Sequence, residues 1–248
     1  MNSEISVLMA TYNHAKYITQ AVESIPEYAG IHITGSVTDD ETKRILLGYD
    51  DSLVHKSFVR NPDVWEQKQM GLHSVWDSME PKDRGHLICR LDSDDTYVDG
   101  WLAKAILMAK EILKKGKVPI IGPSYAMTDE YLNPINDIIL PDFSMVEMLK
   151  GCIIPEYSLM PIGPVWDVGG YFDINWPVPY RYNFYAMMLR LLKRFECEVV
   201  LLKDIGFLYR QHEGQEHKRF NSLLGSRKNV WMQRKVAKHY FPEGWHER

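Results

Sequence analysis

The chain is short of several things that would narrow its setting at once. Its 248 residues include only three cysteines, Cys89, Cys152 and Cys197. They lie far apart and lack metal-type spacing, so reduced, buried thiols in a cytoplasmic protein are expected. No apolar run approaches eighteen residues, so no transmembrane helix is expected. There is no surplus of positive charge. Against 33 Asp and Glu stand 29 Lys and Arg, and a formal net charge of -4 gives no general attraction to nucleic acid or anionic membrane. The amino terminus, MNSEISVLMATYN, has no basic region ahead of an apolar core and does not read as a secretory leader. Internal repeats and low-complexity linkers are also missing. What remains is an ordinary globular composition, 45% hydrophobic and 25% charged, with ample material for a core. Aromatic residues are plentiful, with 14 Tyr and 7 Trp, which suits large core side chains or sugar-stacking surfaces.

The most legible stretch is 85–101, GHLICRLDSDDTYVDGW. Residues 86–91 are mostly apolar and fit a buried strand. The strand delivers Asp92, Ser93, Asp94 and Asp95 to its carboxyl end, and the periodicity beyond Gly100 predicts a helix over 101–113. Ligands of open α/β sheets sit at that edge. Carboxylates crowded together repel, which raises their pKa values unless a cation is present. A hard divalent cation such as Mg²⁺ or Mn²⁺ relieves the repulsion and typically sits between carboxylates and substrate phosphates. The same residue types also suit an acidic turn that caps the next helix. A calcium-binding loop fits less well, because Tyr97 stands where such a loop needs glycine.

Alternating strands (5–10, 31–38, 52–59, 86–91) and helices (15–25, 41–47, 64–79, 101–113) predict a mostly parallel, doubly wound sheet. Beyond it, 118–121 reads as a short strand broken by Gly122-Pro123. Residues 118–165 read as an irregular region over the sheet's carboxyl edge that shapes an acceptor pocket. Helices are expected over 143–149 and 185–195, and a strand over 199–202. The basic tail 218–238 is helix-prone. It suits a solvated face, a loop closing over a diphosphate, or a surface for an anionic acceptor.

LDSDD at a strand end, followed by an aromatic-containing turn and a helix, resembles the DxD site of family 2 glycosyltransferases with the GT-A fold. That resemblance implies a single α/β domain, its mostly parallel central sheet flanked by helices. Residues 1–113 would bind a nucleotide-sugar, and 114–248 would bind the acceptor and end in a helical tail. It implies that Asp94, with Asp92 assisting, holds Mn²⁺ or Mg²⁺, and that Asp92 and Ser93 touch the donor. The run SVLMATYNHAKYITQAVESI resembles the family's opening. By position Thr11, Tyr12 and Asn13 would contact the nucleotide base, with Tyr17 packed beneath the site. Asp39 or Asp40 would recognise the imide of uracil, which favours a UDP-sugar, although Asp39 equally suits the N-cap of the following helix. Gln67, Lys68 or Gln69 would face the phosphates. Gly169-Gly170-Tyr171-Phe172-Asp173 matches a segment whose glycines let the backbone pass close to the donor sugar. Leu208-Tyr209-Arg210-Gln211-His212 resembles a late Tyr-Arg-x-His segment, and makes His212 a metal ligand.

One departure stands out. The family places a Glu-Asp pair before the helix that here starts near residue 185, and its Asp is the catalytic base. The aligned stretch 179–184 reads PYRYNF, and no carboxylate occurs between Asp173 and Glu196. Transfer to a hydroxyl needs a proton acceptor. Asp173 is the nearest substitute and Asp167 the next. The resemblance implies a metal-dependent activity, inverting in stereochemistry as is the family's habit, with a glycan or other hydroxyl compound as acceptor; a modified nucleic acid base is left as an alternative acceptor. A sugar nucleotidyltransferase would show a Gly-rich, basic phosphate loop after the first strand, which TYNHAKY lacks. A non-catalytic nucleotide-sugar or glycan-binding module is the third reading; the missing Glu-Asp pair favours it and the intact acidic motif argues against it.

Overall fold

The structure is a computed structural model. It describes residues 4–35, 39–50, 54–58, 64–79, 83–172, 182–213, 215 and 226–244. The first part of the chain alternates as its periodicity predicts. In order come β1 (Ile5–Thr11), α1 (Ala15–Glu23), β2 (Gly30–Gly35), α2 (Asp40–Leu47), β3 (Val54–Phe58), α3 (Val64–Ser78) and β4 (Leu87–Arg90). Then follow β5 (Thr96–Tyr97), α4 (Trp101–Lys114), β6 (Val118–Thr128), β7 (Pro134–Ile138), α5 (Met145–Lys150), β8 (Met160–Pro161) and α6 (Ile162–Asp167). The last elements are α7 (Asn183–Arg194), β9 (Cys197–Arg210) and α8 (Ser226–Tyr240). Among the described residues no helix is long and apolar enough to cross a membrane.

A five-stranded sheet runs in the order β3-β2-β1-β4-β8. The first four strands are mutually parallel, and β8 adds to the β4 edge antiparallel. Every residue of β1 is buried, because both faces of the sheet are covered. Ile5, Val7 and Met9 join a core with Ile18 of α1 and Leu102 of α4. Leu8 faces the other way and packs with Leu72 and Val75 of α3. Each such side chain contributes about 1.5–3 kcal/mol by burial, so the central strand is held from both sides.

A second sheet, β5-β9-β6-β7, departs from the irregular region expected over 118–165. Gly122-Pro123 does not end β6, which runs to Thr128 beside β9. The proline is accommodated because the β6–β9 register shifts just after Pro123, where a ladder hydrogen bond is dispensable. Gly206 completes the fit, since a Cβ there would collide with the Pro123 ring and with the Trp101 indole. The strand expected over 199–202 is likewise part of the much longer β9. Ile121 pairs with Leu159 just before β8, so one bridge ties the two sheets. Ile121, Tyr157 and Phe207 belong to the same buried cluster as Ile5 and Val7, and the two halves of the chain therefore share a core.

A candidate metal and nucleotide site at the sheet edge

β1, β2 and β4 all point their carboxyl ends toward one edge, and the acidic motif follows β4 there. Three carboxylates are placed in a largely buried space, and each is satisfied differently. Asp92 is gripped by Arg90, and the Tyr157 hydroxyl lies 3.1 Å from its Oδ2. Burial works against its charge, but Arg90 and Lys68 outweigh that and hold its pKa below the usual range. Asp95 is fully buried. Its Oδ1 accepts the Arg210 backbone N–H at 2.9 Å, and its Oδ2 meets the Tyr157 hydroxyl closely. Burial, then the neighbouring Asp94 and Asp92 charges, push its pKa well up. A proton on Asp95 suits this arrangement, because Asp95 then donates to the Tyr157 oxygen and Tyr157 donates to Asp92. Asp94 has neither of these partners. Its Oδ2 lies 2.9 Å from His212 Nε2.

His212 follows β9, and its ring packs at 4.7 Å from that of Tyr17. The third member is His14, in the turn between β1 and α1. Its Nδ1 lies 2.7 Å from Ser93 Oγ, and its ring meets His212 edge-on at 5.9 Å. His14, Asp94 and His212 each offer a ligand atom, and those atoms all fall within 4.8 Å of one another. Burial lowers the pKa of His14, with Asp94 opposing, so the ring is held neutral and ready to donate a lone pair. Two imidazoles and a carboxylate offer mixed nitrogen and oxygen ligands, a donor set that takes a divalent first-row transition ion, Mn²⁺ through Zn²⁺. If Nδ1 donates to Ser93, the hydrogen bond also fixes which nitrogen is left for a ligand. The donor set thus fits a divalent cation.

Arg210 organises this edge from below. It is 2% exposed. Its Nε donates to the Asp94 carbonyl at 2.6 Å, Nη1 to the Glu130 carbonyl at 2.6 Å, and Nη2 to Gln20 Oε1 at 2.8 Å. Its guanidinium also lies 4.7 Å from the centre of the Tyr17 ring. One side chain therefore ties β9, α1, the β6–β7 turn and the acidic motif together.

Thr11, Asn13 and Asp39 gather at the ends of β1 and β2. Asn13 has φ 53, a left-handed conformation that Asn tolerates, and its Oδ1 accepts the Asp39 N–H at 3.1 Å. Asp39 caps α2, its Oδ1 accepting from the Thr42 N–H at 2.7 Å. Its Oδ2 is buried and has no hydrogen-bond partner among the described residues, and the same is true of Thr11 Oγ1. Tyr12 is exposed, and Asp40 is exposed at the start of α2.

The three α3 residues expected near phosphates have other engagements. With its amide oriented to donate, Gln67 reaches the Thr11 carbonyl at 3.0 Å and the Thr34 carbonyl at 3.1 Å. Lys68 meets Glu156 at 3.0 Å, and Glu156 also pairs with Arg90. Gln69 Oε1 accepts the Tyr171 N–H at 2.8 Å. Gly170 is explained by the same approach. It has φ 63, and a Cβ there would lie 2.6 Å from Gln69 Oε1.

Of the expected metal ligands, the geometry brings Asp94 and His212 together and leaves Asp92 out of the set, because Arg90 and Tyr157 occupy its oxygens. His14 is the third member of the geometric cluster. Sequence reading passed over it, although it directly follows Thr11-Tyr12-Asn13 at the same strand end. Glu156 was missed too, with no signal in its neighbourhood. Asp173, the expected base, lies outside the described residues. Asp167, the alternative, is paired to Arg84 at 2.6 Å. It lines a separate groove of about 800 Å³ with Gln69, His73, Trp166 and Arg190.

No family model matches the chain, and no curated protein matches it in sequence. Solved structures do. S. aureus TarS, a glycosyltransferase, superposes over 98% of this chain with a TM-score of 0.65 at 14% identity. A TarS 1–349 structure covers the same share with a TM-score of 0.63, again at 14% identity. The chain spans 40% of the first and 66% of the second. It therefore has the mixed α/β fold of that glycosyltransferase, consistent with the GT-A type.

Proposed function

We propose that this protein is a glycosyltransferase that moves a sugar from a nucleotide diphosphate donor, a UDP-sugar in the leading reading, to the hydroxyl of a glycan or similar acceptor. The observation that carries this is the His14–Asp94–His212 cluster, set beside Thr11, Asn13 and Asp39 at the carboxyl edge of a fold shared with TarS. Mn²⁺ or Mg²⁺ held by His14, Asp94 and His212 would supply positive charge to the departing diphosphate. Ser93 orients the His14 ring, and Tyr17 supports His212. Asp39 Oδ2, buried and without a hydrogen-bond partner among the described residues, accepts a base N–H, as the imide of uracil provides. Asp173 is the base we assign to the acceptor proton, and inversion at the sugar follows from a single displacement.

Calorimetry with UDP tests the reading. Binding should require Mn²⁺ or Mg²⁺ and be strongly weakened in both Asp94→Ala and His14→Ala. Equal affinity in EDTA would remove the metal role, and tighter GDP than UDP binding would overturn the donor. The rival reading, a binding module without turnover, is favoured by the lack of a carboxylate between Asp173 and Glu196. Product formation that depends on Asp94 excludes it.

A further inference from the structure

α8 carries a cationic stripe with an exposed tryptophan inside it. Its sequence, SRKNVWMQRKVAKHY, holds Arg227, Lys228, Arg234, Lys235 and Lys238 and no carboxylate, in a chain whose net charge is -4. Val236, Ala237 and Tyr240 are buried and pack the helix onto the body. Trp231, Arg234, Lys235 and Lys238 follow the i, i+3, i+4, i+7 spacing of one helix face, and all four are exposed. Trp231 is 58% exposed, with Val230 at 44% beside it. α5 packs against α8 and adds Val146, 57% exposed.

These cations differ from those along α4. On α4 and just beyond it, Lys104, Lys110, Lys114 and Lys115 meet Asp204, Glu4, Glu111 and Glu198. Arg234, Lys235 and Lys238 meet no carboxylate among the described residues, and Lys235 instead lies 5.5 Å from the Trp231 ring. Single exposed apolar residues are ordinary. An indole and an adjacent valine among cations that meet no carboxylate in the described residues are a different combination. Cations alone would serve a soluble polyanion, which has no use for exposed apolar groups. An anionic bilayer uses both, since lipid phosphates take the cations and the headgroup boundary takes the indole.

We propose that the outer face of α8, together with Val146 of α5, docks on the surface of an anionic lipid bilayer. This surface stands independently of the nucleotide-sugar site. The test is co-sedimentation of the full chain with phosphatidylcholine vesicles, with and without phosphatidylglycerol. The protein should bind only the anionic vesicles, and less as salt is added. Arg234→Glu, Lys235→Glu and Lys238→Glu combined should weaken partition at least about tenfold. Trp231→Ala should weaken it through the lost apolar contact, and it keeps the proposal testable should the triple variant fail to fold. Lys104→Glu, Lys110→Glu and Lys114→Glu combined should bind like the parent. Four results would overturn the proposal: no vesicle binding by the parent, equal binding to neutral vesicles, equal loss in the α4 variant, or capture of soluble polyphosphate without capture of vesicles.

Discussion

Acid should destabilise this protein through His32 in a way that can be isolated from every other group. His32 sits on β2 facing α3 and is 3% exposed. Its ring stacks on that of His55 at 4.5 Å, and its Nδ1 lies 3.0 Å from Ser74 Oγ. Burial, then the imidazoles of His55 and His86, lower its pKa to about 3. In the unfolded chain the same group titrates near ~6.5. The folded value is the depressed one, so the stabilisation is fully present above the unfolded pKa and is lost as pH falls toward the folded pKa. The window runs from about pH 6.5 down to about pH 3. Between about pH 7 and about pH 5 the unfolded chain takes up the proton and the folded chain does not, which costs ~2 kcal/mol. That is a measurable share of a typical stability of about 5–15 kcal/mol. The perturbation is His32→Phe, which keeps a ring against His55 and cannot titrate. Urea unfolding in EDTA at several pH values gives the stability of both proteins. His14 and His86, also lowered by burial, add to the acid limb of both and cancel in the difference. The parent should lose ~2 kcal/mol more than the variant over that range. Parallel curves would refute the reasoning and mean that His32 protonates while folded.

Gly170→Ala forces a left-handed residue with a Cβ onto Gln69 and Leu72. Backbone strain of roughly 1–2 kcal/mol and overpacking of roughly 1–3 kcal/mol should lower the melting temperature by roughly 4–10 °C in a scanning assay. An unchanged melting point would show that α3 has room to withdraw. Asp39→Asn retains an oxygen to cap α2, so its stability should stay within about 0.5 kcal/mol of the parent, whereas Asp39→Ala should lose about 1 kcal/mol. Asp39→Asn should nevertheless weaken UDP binding roughly tenfold or more in calorimetry, and unchanged affinity would take Asp39 out of base recognition.

Legibility in the sequence followed the range of the interactions. β1 to β4 and α1 to α4 were readable because an apolar run or a helical period shows within their own residues, as in Ile5–Thr11 and Trp101–Lys114, whereas β5 lay in what read as a turn. The acidic motif was readable because its carboxylates are adjacent. The second sheet was not, since Gly122-Pro123 looks like a strand end until Gly206, far along the chain, supplies the space for the proline ring. The cluster was half readable for the same reason. His212 came from a resembling segment, while His14 is defined by Ser93, 79 residues on, and Glu156 by Lys68, 88 residues earlier. The roles of Asp92 and Arg210 depend on side-chain geometry that no local pattern encodes.

Three neighbouring carboxylates in one buried site pose an electrostatic problem, and the way it is solved decides which of them can hold a cation. If all three stayed ionised and unpaired, the site would be strongly unfavourable. Arg90 neutralises Asp92 and is itself balanced by Glu156, which also answers Lys68. Burial and the neighbouring carboxylates favour a proton on Asp95, between Tyr157 and the Arg210 backbone N–H. Among the described residues Asp94 has imidazole beside its carboxylate oxygen, and an imidazole exchanges a proton for a metal where a guanidinium does not. The spacing of the motif offers two acids for the proposed metal, Asp92 and Asp94, and Arg90 already engages the first, which leaves the second as the candidate. Arg210 then holds the chosen acid in place by its backbone carbonyl, without spending a charge-to-charge contact on its side chain. A cation site built this way has its negative charge concentrated on one residue and its remaining ligands neutral. In the proposed reading, such a site would leave excess positive charge on the ion for a diphosphate to meet.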